Sequence, residues 1–216
     1  MVYKMDKKLN IIDLFCGCGG LSLGFENAGF NVLLGIDMWE DALVTYRRNH
    51  KNDNTLCADL ASLPVEEVDK AIHRESVDVI IGGPPCQGFS IAGKRIVDDD
   101  RNKLYKSFVR MVAYFKPKAF VLENVPNILS IGEGAVREAI INDFSELGYM
   151  VTYKVLLAAD YGVPQNRRRA IFVGMLEGKE FVFPAPTVTQ PVTSKEAISD
   201  LPEDGIEDGG NYPSPP

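Results

Sequence analysis

The stretch NIIDLFCGCGG at residues 10–20 decides the fold, because it joins an apolar run of β type to a loop that contains three glycines. In doubly wound α/β sheets, ligands bind beyond the carboxyl ends of the strands, where glycine lets the backbone approach them closely. We expect Phe15, Gly17 and Gly19 to form such a loop after the first strand. The stretch therefore predicts an α/β fold with a ligand site at this strand end.

The rest of the chain alternates apolar runs of β type with helical patterns. Six further runs follow the first: NVLLGID (31–37), NTLCADL (54–60), VDVIIGG (77–83), KAFVLENV (118–125), MVTYKVLLA (150–158) and AIFVGML (170–176). Helical patterns such as KLYKSFVRMVAYF separate the earlier runs. This alternation predicts βαβ units and a doubly wound, mostly parallel seven-stranded sheet with helices on both faces. Because no obvious helix separates the last two runs, we expect those strands to pair antiparallel.

Composition predicts one principal domain without disulfides or a metal site. Four scattered cysteines are too few for a disulfide scaffold, and two histidines leave no plausible zinc set. The formal charge is −7, but from Glu177 onward eight acids face only two lysines, so the preceding residues are nearly neutral. No apolar run of about 18 residues and no basic-then-apolar start are present, so we expect a cytosolic protein with no membrane span.

The composition changes near residue 177, where we place a domain boundary. Seven of the 13 prolines and the acidic PEDGIEDGG follow that point, with little apolar periodicity. Such a segment buries little surface and is typical of an extended or partly disordered connector. We therefore predict a catalytic domain over residues 1–176 and a connector over 177–216.

Two acids at strand ends indicate what the glycine loop holds. Asp37 ends the second run, where an acid accepts hydrogen bonds from ribose hydroxyls, and Asp59 ends the third, within reach of an adenine amino group. Ser22 stands where a dinucleotide site prefers glycine, which favours a nucleoside without phosphates, such as S-adenosylmethionine. Met38 can pack against the adenine through its thioether. Taken singly, each acid could instead be a strand-end cap.

The stretch GGPPCQGFS at residues 82–90 presents a cysteine after the fourth run. Glu123 ends the fifth run, one βαβ unit later, so neighbouring parallel strands would bring Cys86 and Glu123 to one edge of the sheet. Carbon 5 of cytosine becomes nucleophilic only after a thiolate adds to carbon 6, with a proton donor or strong hydrogen bond at ring N3. Cys86 and Glu123 match these two roles. Alone, the cysteine could be a small buried hydrophobe and the glutamate a turn cap.

Three consecutive arginines precede the seventh run, in YGVPQNRRRAIFVG. Such a run is usually a solvated turn, but period-2 alternation would aim Arg167 and Arg169 to one side and Arg168 to the other. On the cleft side, Arg167 could bracket Cys86 or the cytosine carbonyl, and Arg169 could stabilise the thiolate or a phosphate.

In this order the motifs DLFCGCGG, IDMWE, CADL, GGPPCQGFS, ENV and QNRRR resemble the DNA (cytosine-5) methyltransferase family, over nearly all of residues 9–176. The resemblance implies a Rossmann-like methyltransferase fold, a flipped cytosine in double-stranded DNA as substrate, and no metal. It implies these catalytic residues: Cys86, Glu123, Arg167 and Arg169. We assign to the cofactor site Phe15, Gly17, Gly19, Gly20, Leu21, Asp37, Met38, Asp59, Leu60, Pro84 and Leu104. We assign to substrate binding Pro85, Gln87, Gly88, Ser90, Asn124, Val125 and Gln165.

The family pattern normally continues into a variable target-recognition domain and a returning segment, which do not follow here. We therefore expect the catalytic portion of a larger or interrupted methyltransferase, or a half that needs a complementing chain, with weak cofactor binding and poor methylation alone. The resemblance also suggests a prokaryotic, nucleoid-associated modification enzyme of a restriction-modification system. The alternatives are a tRNA cytosine-5 methyltransferase, a non-catalytic nucleic-acid-binding module on the same scaffold and, more distantly, a nicotinamide oxidoreductase.

Overall fold

The computed structural model describes residues 8–51, 53–85 and 102–201, together with the backbone of 91–92 and 95–96. The chain divides into two compact units. The first comprises residues 1–156 and 168–183, and the second comprises 157–167 and 184–216. The boundary expected at residue 176 stays a prediction.

A seven-stranded sheet forms the first unit's framework, in the order β3-β2-β1-β4-β7-β9-β8. Its strands are β1 (Asn10–Leu14), β2 (Asn31–Asp37), β3 (Thr55–Cys57), β4 (Val79–Gly82), β7 (Ala119–Asn124), β8 (Tyr149–Leu157) and β9 (Arg168–Leu176). The pairs β1–β2, β2–β3, β1–β4 and β4–β7 are parallel, whereas β9 runs antiparallel to β7 and is hydrogen-bonded to β8 on its other side. The predicted doubly wound sheet, with an antiparallel pair at its end, is confirmed.

The strand order reverses between β1 and β4, which positions the candidate site. From β1 to β3, each successive strand lies closer to one edge of the sheet, whereas β7 lies on the other side of β4, toward the opposite edge. Loops that leave β1 and β4 therefore diverge at their carboxyl ends and open a crevice between them. A separate short antiparallel pair, β5 (Ile91–Ala92) and β6 (Arg95–Ile96), follows β4 in the chain.

Helices connect the strands as the periodicity predicts. They are α1 (Gly20–Asn27), α2 (Glu40–Asn49), α3 (Val65–Ala71), α4 (Lys103–Phe115), α5 (Ala135–Ser145) and α6 (Ser194–Ala197). In α2, two acids occupy the first turn and two arginines the last, which complements the helix dipole. Helix α4 buries Tyr105, Phe108, Met111 and Val112 at a spacing of three to four residues, as an amphipathic helix does.

The central strands β1 and β4 are buried on both faces of the sheet, because their alternate residues enter different apolar clusters. Ile12 of β1 and Ile80 of β4 belong to the larger cluster, which includes Phe108, Phe120 and other residues. Their neighbours Ile11 and Ile81 belong to a smaller cluster. This arrangement explains why the parallel strands are continuous apolar runs and do not alternate with polar residues.

Polar groups tie the amino-terminal ends of the strands together. The Asn10 backbone N–H donates to Asp78 Oδ2 at 2.9 Å, and Lys118 Nζ lies 2.7 Å from Asp78 Oδ1. Asn31 Nδ2 donates to Asn10 Oδ1 at 2.9 Å. These contacts join residues at the starts of β1, β2, β4 and β7, so they help to fix the strand register on the edge opposite the candidate site.

The second unit contains a one-turn 3-10 helix, Ala158–Tyr161, and the short helix α6. The Ala158 N–H donates to the Arg167 carbonyl at 2.8 Å, and the Thr187 N–H donates to Asp160 O at 2.9 Å. A capping box between Thr193 and Glu196 starts α6. Across the described ranges, every helix is too short or too polar to span a bilayer.

Candidate active site at the carboxyl ends of the strands

The loop after β1 adopts the unusual backbone that its glycines predict. Gly17 and Gly19 have φ of +54° and +88°, and Phe15 has φ of +62° without being a glycine. Left-handed φ in a bulky residue is uncommon and needs support from its surroundings. That support includes hydrogen bonds from the Cys16 N–H to Ile36 O at 3.1 Å and from the Gly19 N–H to Cys16 O at 2.9 Å.

Asp37 links the loops that follow β1 and β2. Its Oδ2 accepts a hydrogen bond from the Gly17 N–H at 2.8 Å, and its Oδ1 accepts one from the Trp39 N–H at 3.0 Å. A carboxylate has about four lone-pair sites, so these two bonds leave room for a ligand hydroxyl. Asp37 therefore shapes the glycine loop, as the strand-end-cap interpretation expects, and its role in ligand binding stays a prediction.

A cavity of about 310 Å³ lies next to this loop, within the first unit. Six of the predicted cofactor residues line it: Phe15, Asp37, Met38, Asp59, Leu60 and Leu104. Among the described residues, Ala58, Gly83 and Pro85 also line it. The structure thus brings together residues from the ends of β1, β2, β3 and β4 and from the first turn of α4, as the strand-order reversal requires.

The other predicted cofactor residues are not among the described residues that line this cavity. The Leu21 side chain packs with Ile11 in the smaller core cluster. Gly19 faces inward, where a Cβ atom would meet Tyr46 and His50. Pro84 is buried, while its neighbour Pro85, assigned to the substrate side, is the proline that lines the cavity. The roles assigned to Gly17, Gly20 and these residues stay predictions.

A buried hydrogen-bond chain supports the glycine loop from below. Ser22 Oγ donates to Asp13 Oδ2 at 2.6 Å and accepts from the Tyr46 hydroxyl at 3.0 Å. Burial raises the pKa of Asp13 to about 7, although the hydrogen bonds from Ser22 oppose the rise. Tyr46 stacks on His50 with ring centroids 3.9 Å apart. The serine that breaks the dinucleotide pattern is therefore a structural hydrogen-bonding residue in this fold.

Glu123 is the penultimate residue of β7 and lies beside the loop that follows β4. Arg169 Nε lies 2.7 Å from Glu123 Oε1, and both side chains are about a quarter exposed. Glu123 Oε2 lies 3.2 Å from the point where a Cβ atom would stand on Gly83. The parallel pairing of Gly82 with Leu122 brings these two strand ends together, as the sequence predicts.

Asn124 holds the same loop from the inside. Its Nδ2 donates to the Pro84 carbonyl at 2.8 Å, and its Oδ1 accepts from the Val125 N–H at 2.9 Å. Asn124 is 5% exposed, whereas Val125 is exposed. The described contacts of Asn124 are with the protein backbone, and the substrate roles assigned to both residues stay predictions.

Several predicted site residues cannot be placed relative to this cavity. Cys86, Gln87, Gly88 and Ser90 lie outside the described residues. Gln165 and Arg167 belong to the second unit, where the Arg167 N–H donates to the Gln165 carbonyl at 2.9 Å. Their assigned roles also stay predictions.

The cavity wall contains residues that the sequence patterns did not single out for cofactor binding. Ala58 and Gly83 are adjacent to predicted positions, so their place in the motifs CADL and GGPPC was an available signal. Tyr46 lies within a helical pattern that gives no sign of its contact with the glycine loop. Only packing of α2 against β2 reveals that contact.

Comparisons with known proteins identify the family. The family model for C-5 cytosine-specific DNA methylases matches residues 9–214. The chain is 45% identical over 206 residues to the type II methyltransferase M1.HphI of Haemophilus parahaemolyticus, covering 94% of this chain and 55% of that protein. It is 44% identical to the type II methyltransferase M.DdeI of Desulfomicrobium norvegicum, covering 96% of this chain and 52% of that protein.

A solved structure supports the same conclusion. It is the crystal structure of a DNA modification methyltransferase encoded within an E. coli prophage, which aligns with a TM-score of 0.77 at 36% identity. The alignment covers 91% of this chain and 56% of that one, so the chain spans about half the length of these relatives. On the match over residues 9–214 and on these identities, the chain belongs to the C-5 cytosine-specific DNA methylase family.

Proposed function

We propose that this protein transfers a methyl group from S-adenosylmethionine to carbon 5 of cytosine in double-stranded DNA, as the modification enzyme of a type II restriction-modification system. Gly83 carries this proposal: it lines the cofactor cavity, and its Cβ position lies 3.2 Å from Glu123 Oε2. Gly83, which directly precedes Pro84, thus adjoins both the cavity and the Glu123 carboxyl group. A methyl donor and a target ring bound there would be neighbours.

The cavity residues fit the cofactor. Phe15, Met38 and Leu60 offer apolar and thioether surface to an adenine, while Asp37 and Asp59 offer carboxylates to ribose hydroxyls and an amino group. A volume of about 310 Å³ lies at the lower end of the range for small-ligand sites. S-adenosylmethionine, when bound, supplies an electrophilic methyl group.

The protein's own residues make the ring reactive. In the proposed mechanism the Cys86 thiolate adds to carbon 6, and the Glu123 carboxyl group donates a proton to N3, which offsets the negative charge that develops in the ring. Arg169 contacts Glu123 Oε1 and so orients the carboxyl group. We propose that the other oxygen, Oε2, which faces Gly83, makes the hydrogen bond to N3. After carbon 5 is methylated, loss of its proton and elimination of the thiol restore the aromatic ring and free Cys86.

The substrate must leave its helix for this chemistry, because carbon 6 of a stacked cytosine is inaccessible to a side chain. We propose that a flipped cytosine enters beside Glu123. We also propose that a further segment or a complementing chain supplies target recognition. We also propose that the protein acts on DNA at the nucleoid of a prokaryote.

Trapping with 5-fluorocytosine tests the proposal, because fluorine at carbon 5 prevents the final elimination. We expect a covalent complex with mixed-sequence duplex DNA in the presence of S-adenosylmethionine and any complementing segment, with the DNA attached to the Cys86 peptide. Cys86→Ser should abolish the complex because a hydroxyl ionises far less readily than a thiol. Cys57→Ser, at an exposed thiol, is the matched control and should retain it.

Two outcomes would contradict the proposal. A complex that survives in Cys86→Ser would remove the cysteine from the mechanism. Transfer of a tritiated methyl group to tRNA but not to duplex DNA would contradict the proposed DNA substrate, although the proposed reaction at carbon 5 would stand.

A further inference from the structure

A tight turn after β3 forms one side of the cofactor cavity. The Asp59 carbonyl accepts from the N–H groups of Ser62 at 3.1 Å and Leu63 at 2.9 Å, and Asp59 Oδ1 accepts from the Ala61 N–H at 2.9 Å. Asp59 thus satisfies the donors of this turn. Leu60 and Leu63 are buried, so their carbonyl groups need hydrogen-bond donors.

Arg110 of α4 provides those partners. Its Nη2 donates to the Leu60 carbonyl at 3.0 Å and to the Leu63 carbonyl at 2.8 Å. Both acceptors are neutral backbone groups that lie about 50 residues earlier in the chain. A planar guanidinium presents several donors in a rigid fork, which suits two carbonyls that lie close together.

The same helix also contributes to the lining of the cavity. Leu104, in the first turn of α4, lines the cavity together with Asp59 and Leu60. The Arg110 contacts therefore join two elements that line the cavity, the turn and the helix. We propose that Arg110 is a positioning residue that fixes the Asp59–Leu63 turn against α4 and so shapes the cofactor site; the ligand's identity rests on the proposed function.

Hydrogen exchange tests the positioning directly, without any ligand. In Arg110→Ala, two buried carbonyls lose their donor, and we expect the Ser62 and Leu63 amides to exchange about tenfold faster. Lys106→Ala is the matched control: it removes a cation on the same helix that lies 3.1 Å from Asp143 instead. The control should leave these amides unchanged, and the β1 amides should stay protected in both variants if only the turn loosens.

Calorimetry with S-adenosylhomocysteine tests the consequence for binding. We expect Arg110→Ala to raise Kd about tenfold, Lys106→Ala to change it less than twofold, and Arg110→Lys, which keeps the charge but loses the fork, to fall between. In turnover assays the loss should appear in KM for the cofactor, with kcat nearly unchanged.

The outcomes separate this inference from the proposed function. Unchanged amide exchange in Arg110→Ala, or equal Kd values in Arg110→Ala and Lys106→Ala, would overturn the positioning role. A wild-type protein that fails to bind S-adenosylhomocysteine would overturn the proposed cofactor. In that case the exchange experiment would still decide whether Arg110 holds the turn.

Discussion

Replacing Gly19 by alanine should destabilise the fold through two separable effects. The first is backbone strain, since φ at Gly19 is +88° and the left-handed region costs an L-residue with a side chain about 1–2 kcal/mol. The second is overlap, because the new Cβ would stand 2.1 Å from His50 Nε2 and 2.6 Å from Tyr46 Cδ2. The sum of these two costs is the expected decrease in the free energy of unfolding.

The overlap cannot be relieved cheaply, because the two rings are held in place. His50 has a side chain only 1% exposed, stacks on Tyr46 and lies 2.8 Å from Glu26 Oε2 through Nδ1. Overpacking of this kind costs about 1–3 kcal/mol, so the total loss should be about 2–5 kcal/mol. That is a large part of a typical domain stability of about 5–15 kcal/mol.

Gly17→Ala is the control that isolates the overlap. Gly17 also has a positive φ, of +54°, but its Cβ position has no neighbour within 4 Å. Urea unfolding should therefore show a loss of only about 1–2 kcal/mol for Gly17→Ala and at least 1 kcal/mol more for Gly19→Ala, with similar m values. Equal losses in the two variants would refute the tight packing of Gly19 against the aromatic pair.

Two further predictions concern buried ionisable groups under the same loop. Burial raises the pKa of Asp13 from 3.8 to about 7. Between these two pH values the folded state binds more protons at Asp13 than the unfolded state does. The free energy of unfolding should therefore fall as pH rises from about 4 to about 7. The loss amounts to about 4 kcal/mol at about 1.4 kcal/mol per pH unit, and Asp13→Asn should flatten this part of the urea-midpoint profile; an unchanged profile would contradict the prediction. Burial, with the nearby Asp13 and Asp37 charges, also raises the pKa of Cys16 well above its usual range, whereas Cys18 is exposed. In the native protein a disulfide reagent should modify Cys18 much faster than Cys16, and in urea it should modify both at similar rates. Peptide mapping measures the two rates. Equal rates in the native protein would contradict the prediction.

The periodic runs of the sequence were sufficient to predict the sheet and its main helices. Strands such as β4 and β7 are apolar on both sides, which is possible only where helices cover both faces of a sheet. Sequential strands usually lie side by side, so the pairing of β4 with β7, and the place of Glu123 beside the loop after Gly82, also followed from chain order. The short pair β5–β6 was not predicted, because two-residue strands carry no periodicity.

The sequence by itself determined which chemical groups stand at the strand ends: the glycine loop, Asp37, Asp59 and Glu123. Tertiary structure alone decided which of their neighbours support them. Ser22 bonds to Asp13, Asn124 to the Pro84 carbonyl and Arg110 to the turn after β3. These contacts join residues brought together by packing of distant elements, and a local pattern cannot encode them, because its period reports burial and not the partner across the interface.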